Sequence, residues 1–406
     1  MKTVSISLSP NTEKDDISLA FKELFSSKKV EGKDIEKFEN IFNDCFKFDK
    51  VFSLNSGRSS LIVILEALGI QKNDEIIVQA YTCNAVINPI LKLEAFPVYV
   101  DIDDNLNIDP SLIEEKITNK TKAVIVQHTF GMPAQLDKIK EICIKHNIFL
   151  IEDCAHALLA KYKEDYCGKF GDVSFFSFGR DKVISSVYGG MIGSNDKELS
   201  VKIENVYNKL DFPDKKWVNK QIRHPILMNL LILPFYNFLN IGKIILELSI
   251  RSETLSKAVC SIEYQGELPD YFPKKMPNSL AKMALNQFKK IEKFNNHRRE
   301  LAKYYKKEIG GIFNINEDAI YLKFPIKVNN GDAIIKEFSK YNIMLEDGWR
   351  KKVIVPPKTN LIKMHYNIGE CKKAEEFSDK MLILPTHINI SMETAERIVY
   401  ILKSLI

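Results

Sequence analysis

From Val51 to Gly193 the chain repeats one alternation, a short run rich in β-branched and aromatic residues followed by an amphipathic stretch with helical spacing. EIIVQAY, FPVYVDI, AVIVQHTF, IFLIEDC and VSFFSF are the short runs, and they are predicted as buried strands. The stretches Ser59 to Leu68 and Leu136 to His146 are predicted as helices. Strands that are apolar on both faces and separated by helices pair in parallel beneath helical layers. The expected fold class is therefore α/β, a mostly parallel sheet covered by helices. Ligands of such sheets gather beyond the carboxyl ends of the strands. That rule singles out Thr82, His128, Asp153 and Ser177.

At 406 residues the chain exceeds the roughly 250 to 300 residues at which one core usually stops growing, so two domains are expected. After about Asn205 the pattern changes. DKKWVNKQIRHPILMNLLILPFYNFLNIGKIILELSIRS sets a basic and aromatic lead-in before apolar runs broken by Pro225, Pro234, Asn237 and Gly242. LAKMALNQFKKIEKFNNHRRELAKYYKK is predicted as one long amphipathic helix. The tail from Ile320 reads as an α/β unit, with strand YLKFPIKV, helix DAIIKEFSKY and a closing helix near Glu393 to Ser404.

The net charge of +5 is diluted over this length, with no basic stripe and no zinc-finger or RNA-binding signature, so a nucleic-acid partner is not expected. Seven cysteines without a CxxC pair point to a reduced, cytoplasmic chain and to no metal centre. MKTVSISLSPNTEKDD lacks an apolar core, so no secretory signal is expected there.

Three stretches carry candidate chemistry. In SLNSGRSSLIVIL a strand end leads through Ser-Gly-Arg-Ser into an apolar-periodic helix. The backbone N–H groups of Gly57, Arg58 and Ser59 can cradle an anion there, or Ser-Gly can be a simple helix cap. In LIEDCAHALLA a strand delivers Asp153 at its carboxyl end, with His156 three residues on. A carboxylate buried at that position needs a cation, on a ligand or in a structural salt bridge, or else it caps the following turn. In SFFSFGRDKVISSVYGG, Lys182 follows a strand in a loop close to glycines, as a surface residue or as a nucleophilic amine. Together these form the set a pyridoxal phosphate enzyme uses. The lysine holds the aldehyde as a Schiff base, the carboxylate keeps the pyridine nitrogen protonated, and backbone amides take the phosphate.

The chain resembles the pyridoxal phosphate sugar aminotransferases of the DegT and StrS type. The likeness runs in order through VEGKDIEKFENIF, NSGRSSL, YTCNAVINPIL, FPVYVDID, AVIVQHTFGMPAQLDKI, IEDCAHALLA, FGDVSFFSFGRDK and YGGMI, then LAKMALNQFKKIEKFNNHRRELAKYY and LILPTHINISMETAERIV. It implies the fold-type-I transferase architecture, with a large cofactor-binding domain over 1–262 and a smaller C-terminal domain over 263–406. It implies Lys182 as the cofactor lysine and proton carrier, and Asp153 as partner of the pyridinium nitrogen. His156 stands near the place of the cofactor's phenolic oxygen, and Ser177 with Gly57, Arg58 and Ser59 stands at its phosphate. His128 lies in an HxxG-like segment with a packing or a catalytic role. The implied reaction moves nitrogen from an amino acid, glutamate by expectation, to a keto sugar, nucleotide-linked by expectation, for surface polysaccharide or related glycan synthesis. The implied assembly is a homodimer.

Four features depart from the family pattern. Cys83 stands where an aromatic often stacks on the cofactor ring. Phe272 and Pro273 occupy the place of an Asn that contacts the phosphate across the dimer, with Lys274 or Lys275 as substitutes. EDGWRKKVIVPPKTN differs from the usual substrate-side segment. The insertion over about 217–251 is too broken for a spanning helix, which needs about 20 apolar residues. It either packs on protein or lies in a membrane interface; in the second case the chain would touch the inner face of the membrane and a lipid-linked sugar would be the acceptor. A dehydratase of the same fold, in which His replaces the lysine, is disfavoured because Lys182 is present. A non-catalytic homologue is the alternative from another functional class.

Overall fold

The computed structural model describes residues 3–345 and 348–406. Its large sheet has seven strands: β1 Lys50–Leu54, β2 Glu75–Gln79, β3 Phe96–Val100, β4 Thr121–Gln127, β5 Phe149–Asp153, β6 Val173–Ser177 and β7 Gly190–Ser194. Their spatial order is β1-β7-β6-β5-β4-β2-β3. Every pairing from β6 to β3 is parallel, and β7 runs antiparallel to both β6 and β1. The expected strands and the expected α/β class are the ones observed. β7 departs from the alternation because the connection that returns the chain from β6 past Lys182 holds no helix.

Registers within the sheet assemble the site. Phe175 of β6 lies opposite Asp153 of β5, and Ser177 of β6 lies opposite Gly190 of β7, which in turn faces Leu54 of β1. The end of β1 and the start of the helix Gly57–Ala67 are thereby set beside the end of β6. Gly190 is required at this point, because a Cβ there would sit 2.5 Å from the backbone of Ser56.

On one face the helix Asp34–Phe46 buries Phe38, Phe42 and Phe46 against Phe176 and Phe178 of the sheet side. Leu280, Ala281, Ala284 and Phe288 of the helix Asn278–Phe288 join the same core. The single long helix expected from LAKMALNQ onward is in fact two, Asn278–Phe288 and Ile291–Ile309. Helical periodicity runs through the junction, but Lys290 has φ −105° and ψ 4°, and its ammonium is held by Glu13, Asp15 and Asp16. That ion cluster fixes the bend where the apolar spacing gives no sign of one.

The C-terminal portion pairs β8 Lys323–Lys327 antiparallel with β9 Met381–Pro385, beneath helices Gly331–Lys340, Lys372–Lys380 and Met392–Lys403. Its Phe324, Phe338, Leu384 and Ile398 belong to a core continuous with the large sheet. The boundary expected at 262/263 falls inside the one-turn helix Ile262–Gln265, and the helix Asn278–Phe288 that follows shares the core on one face of the large sheet. The two-residue strand Ile354–Val355 pairs in parallel with Thr82–Cys83 and lays the tail over the strand ends. Glu346 and Asp347 of the divergent segment EDGWRKK lie outside the described residues.

The insertion forms the helix Lys215–Leu227, a turn at Met228–Ile232 and the helix Ile241–Arg251. Its inner face packs on the chain itself, with Met228, Ile232 and Leu255 in a small core. In the lead-in DKKWVNKQIRH, Trp217 is buried against Tyr188 and Tyr271 at centroid distances of 5.3 and 5.9 Å. No helix among the described residues is long and apolar enough to cross a membrane.

Candidate active site

Strand ends, the start of the helix Gly57–Ala67 and the tail enclose one cavity of about 790 Å³. Gly57, Arg58, Cys83, Asp153, His156, Ser177 and Lys182 all line it; Ser59, Thr82 and His128 do not.

Lys182 Nζ lies 2.9 Å from His156 Nε2. The Phe130 backbone N–H donates to Nδ1 of the same ring at 3.3 Å, so the neutral imidazole carries its proton on Nε2, where it donates to the lysine only while that amine is uncharged. Burial, reinforced by the positive charges of Lys182 and Lys323, holds His156 well below the usual imidazole range. The ring stacks on Phe130 and meets Trp349 edge-on at a centroid distance of 5.2 Å. Packing of this kind fixes where Nε2 points.

Asp153 closes β5 and is buried, 4% exposed. Its Oδ1 accepts from the Ala155 N–H at 2.9 Å, while Oδ2 has no hydrogen-bond donor among the described residues. Burial raises its pKa against the pull of that N–H and of the Lys182 and His128 charges. A buried carboxylate with one oxygen open to a cavity suits a cationic N–H donor.

The helix start is built around small groups. Ser56 caps it, its Oγ accepting from the Ser59 N–H at 3.0 Å, and Ser59 Oγ donates to Asn55 Oδ1 at 2.6 Å. Ser59 is thus spent on capping and does not line the cavity, where the sequence placed it in an anion cradle; Ser56 and Ser59 close the cap, and Gly57 and Arg58 line the cavity. A Cβ on Gly57 would stand 3.0 Å from Ser177 Cβ and 3.3 Å from Ser177 Oγ. Backbone and serine hydroxyl therefore approach closely enough to share one anion.

The Arg58 side chain turns away from that cradle. Its Nε lies 2.6 Å from Glu263 Oε1, with the two side chains 13% and 1% exposed, and its guanidinium sits over the Phe272 ring. Cys83 Sγ accepts from the Ala85 N–H at 3.5 Å and caps the helix Asn84–Lys92, and burial pushes the thiol pKa up. Lys274 and Lys275 do not line the cavity of this chain. Lys274 pairs with Asp211 at 3.2 Å, and Lys275 lies over Tyr207.

His128 is a packing residue. Its Nε2 lies 3.2 Å from Glu152 Oε2 and its Nδ1 accepts from the Ala134 N–H, all out of the cavity. Glu152 in turn accepts from the backbone N–H groups of Gly168, Phe170 and Gly171. The donors of this buried trio with Cys154 are therefore occupied by the protein.

Three lining or supporting residues were not predicted. Trp349 comes from the divergent tail and had no spacing signal. Arg180 donates to Ser256 at 2.7 Å and lies over Tyr188, tying the loop before Lys182 to the segment after the insertion. Lys323 is buried and pairs with Asp181 at 3.4 Å; although burial works the other way, Lys323 and Lys182 keep the Asp181 carboxyl low.

Comparison with known proteins gives the same outline. The model of the DegT/DnrJ/EryC1/StrS aminotransferase family matches residues 11–223 and 254–403. The chain belongs to that family. It is 32% identical to a GDP-perosamine synthase of Escherichia coli O157:H7 over 71% of this chain and 66% of that protein. The matched stretch spans 49% and 50% of two further curated relatives, so the chain covers between about half and two thirds of these proteins' length. Among solved structures it is similar to Helicobacter pylori PseC, an aminotransferase involved in the biosynthesis of pseudoaminic acid. That match has a TM-score of 0.74 at 21% identity over 99% of each chain. It is also similar to the PLP form of a putative sugar aminotransferase of Streptococcus pneumoniae, with a TM-score of 0.73 at 21% identity over 98% of this chain and 97% of that one. The architecture is that of fold-type-I aminotransferases.

Proposed function

We propose that this member of the DegT/StrS-type family is a pyridoxal phosphate aminotransferase. It moves an amino group from an amino acid, glutamate by expectation, to the keto group of a sugar borne on a diphosphate carrier. The single observation that carries this reading is the Lys182–His156 contact opening on one cavity with Asp153 and the Gly57–Ser177 cradle.

The residues fit the cofactor on three counts. Gly57 lacks the Cβ that would fill the cradle, Asp153 Oδ2 is open to a cationic N–H, and Lys182 offers a primary amine. Gly57 and Arg58 N–H with Ser177 Oγ would hold the phosphate, and Asp153 the pyridine nitrogen. When bound, the cofactor supplies an aldehyde for amine exchange and an electron sink. Lys182 Nζ then holds and moves the proton of the exchange, and His156 Nε2 orients it at 2.9 Å. Trp349 and Phe130 exclude water from the ring of His156. The names of the relatives support a sugar as acceptor, and a nucleoside diphosphate is one carrier of the required chemistry.

The test is spectroscopic first. Purified protein with pyridoxal phosphate should absorb in the near-visible and change on addition of glutamate, and keto-sugar diphosphates should then yield an amino product by mass. Retained turnover in Lys182→Ala, or no spectral response to any amino donor, would refute the reading; the second result would favour a non-catalytic homologue.

A further inference from the structure

The match to the family stops at residue 223 and resumes at 254, so residues 224–253 are an addition to the family pattern. Met228, Leu246 and Ile250 of that addition, with Leu255 just beyond it, form one wall of the cavity that also holds Lys182 and Asp153. These side chains are aliphatic and carry no N–H or O–H. A nucleobase or ribose at this wall would leave its polar edges without partners.

The wall does not end inside. Leu246 and Ile250, one turn apart, face inward from the helix Ile241–Arg251, while Ile244 and Leu248 on its other side are 52% and 57% exposed. Phe235, Phe238 and Leu239 in the preceding turn are exposed as well. Apolar surface gathered in this way marks a place where something apolar sits. Lys257 and Lys358 also line the cavity and are exposed, and neither ammonium has an ion-pair or hydrogen-bond partner among the described residues. Lysine is a point-charge ligand for phosphate.

We propose that the acceptor's carrier is a long aliphatic chain joined through a diphosphate, with the hydrocarbon lying along 224–253 and the phosphates on Lys257 and Lys358. This rests on the aminotransferase reading above and names the carrier that it leaves open. The sequence of chemistry along the cavity is then sugar at Lys182, diphosphate at the lysines and chain at Leu246 and Ile250.

The test compares one keto sugar on two carriers, uridine diphosphate and farnesyl diphosphate in detergent micelles, with holoenzyme. The farnesyl carrier should show a KM at least roughly tenfold lower, the scale of discrimination a hydrophobic pocket gives for added methylenes. Leu246→Ala and Ile250→Asp should both narrow that preference. Calorimetric binding of farnesyl diphosphate alone to wild-type protein needs no turnover and no variant, and should saturate. Equal or better use of the uridine carrier, or no binding of farnesyl diphosphate, overturns the proposal. So does a Leu248→Asp variant that changes the protein's mass in solution without touching carrier preference, because the face would then join two copies of the chain. Failure of glutamate to change the spectrum, with farnesyl diphosphate still bound, counts against the aminotransferase reading and leaves standing only the binding of a diphosphate-linked chain along this wall.

Discussion

Lys182 Nζ and His156 Nε2 stand 2.9 Å apart, delivered by the loops that follow two adjacent parallel strands, β6 and β5. On the proposed reading, the contact makes His156 the group that aims the lysine. Replacing it with Phe keeps the ring packing on Phe130 and Trp349 but removes the hydrogen bond. Turnover in His156→Phe should fall about 10²- to 10⁴-fold while near-visible absorbance shows cofactor still bound. His156→Gln should recover part of the rate. Loss of cofactor in both variants would mean that the ring serves binding instead.

Asp153 predicts a pH dependence. Burial raises its carboxyl above the usual carboxylate range, against the Ala155 N–H and the charge of Lys182. The folded, cofactor-free chain thus binds this proton more readily than the unfolded chain. Its contribution to stability is complete below the unfolded carboxylate pKa and is lost as pH rises through the higher folded value. The Tm of cofactor-free protein should fall across that window, and Asp153→Asn should flatten the fall. Equal slopes in the two proteins would show that Asp153 titrates normally. Asp153→Asn should also lose most turnover, because an amide cannot neutralise a pyridinium.

The cradle offers a steric test. Gly57→Ala places a methyl 3.0 Å from Ser177 Cβ, closer than nearly all real contacts of this type. Cofactor affinity should drop by about tenfold or more, the order expected when well-placed backbone donors are displaced from an anion. The double variant Gly57→Ala with Ser177→Gly should regain space and part of the affinity, measured by equilibrium dialysis. An unaffected single variant would place the phosphate elsewhere.

Much of this was legible in the chain because strand periodicity and strand-end position are local signals. β2, β3, β5 and β6 fall within the quoted runs and β4 begins two residues before its own, and the residues that close these strands or follow them, Asp153, Ser177 and Lys182, meet at one cavity. What was hidden depends on contacts distant in sequence. Ser59 looked like an anion ligand until Ser56 and Asn55 were seen to occupy it. Arg58 pairs with Glu263, and Trp349 meets His156, across separations that no spacing rule reaches. The bend at Lys290 answers to Asp15 and Asp16, far away in the chain. The insertion showed its apolar content in sequence but not its two faces, since broken runs carry no clean period.

The Arg58–Glu263 pair supplies the last prediction. Both side chains are nearly buried, 13% and 1% exposed, at a separation of 2.6 Å, and the pair ties the helix start to the turn after the insertion. Removing one partner of such a pair leaves a buried charge unmatched and costs about 3 to 5 kcal/mol, whereas removing both costs far less. Arg58→Met should therefore lower Tm by several degrees or more, and adding Glu263→Gln should restore most of the loss. Because the Arg58 guanidinium is turned away from the cradle and its backbone N–H is retained, the double variant should keep cofactor affinity near that of the parent. If affinity collapses even where stability is restored, the guanidinium itself reaches the phosphate in the assembled enzyme, and an account in which Arg58 contributes only its backbone N–H is wrong.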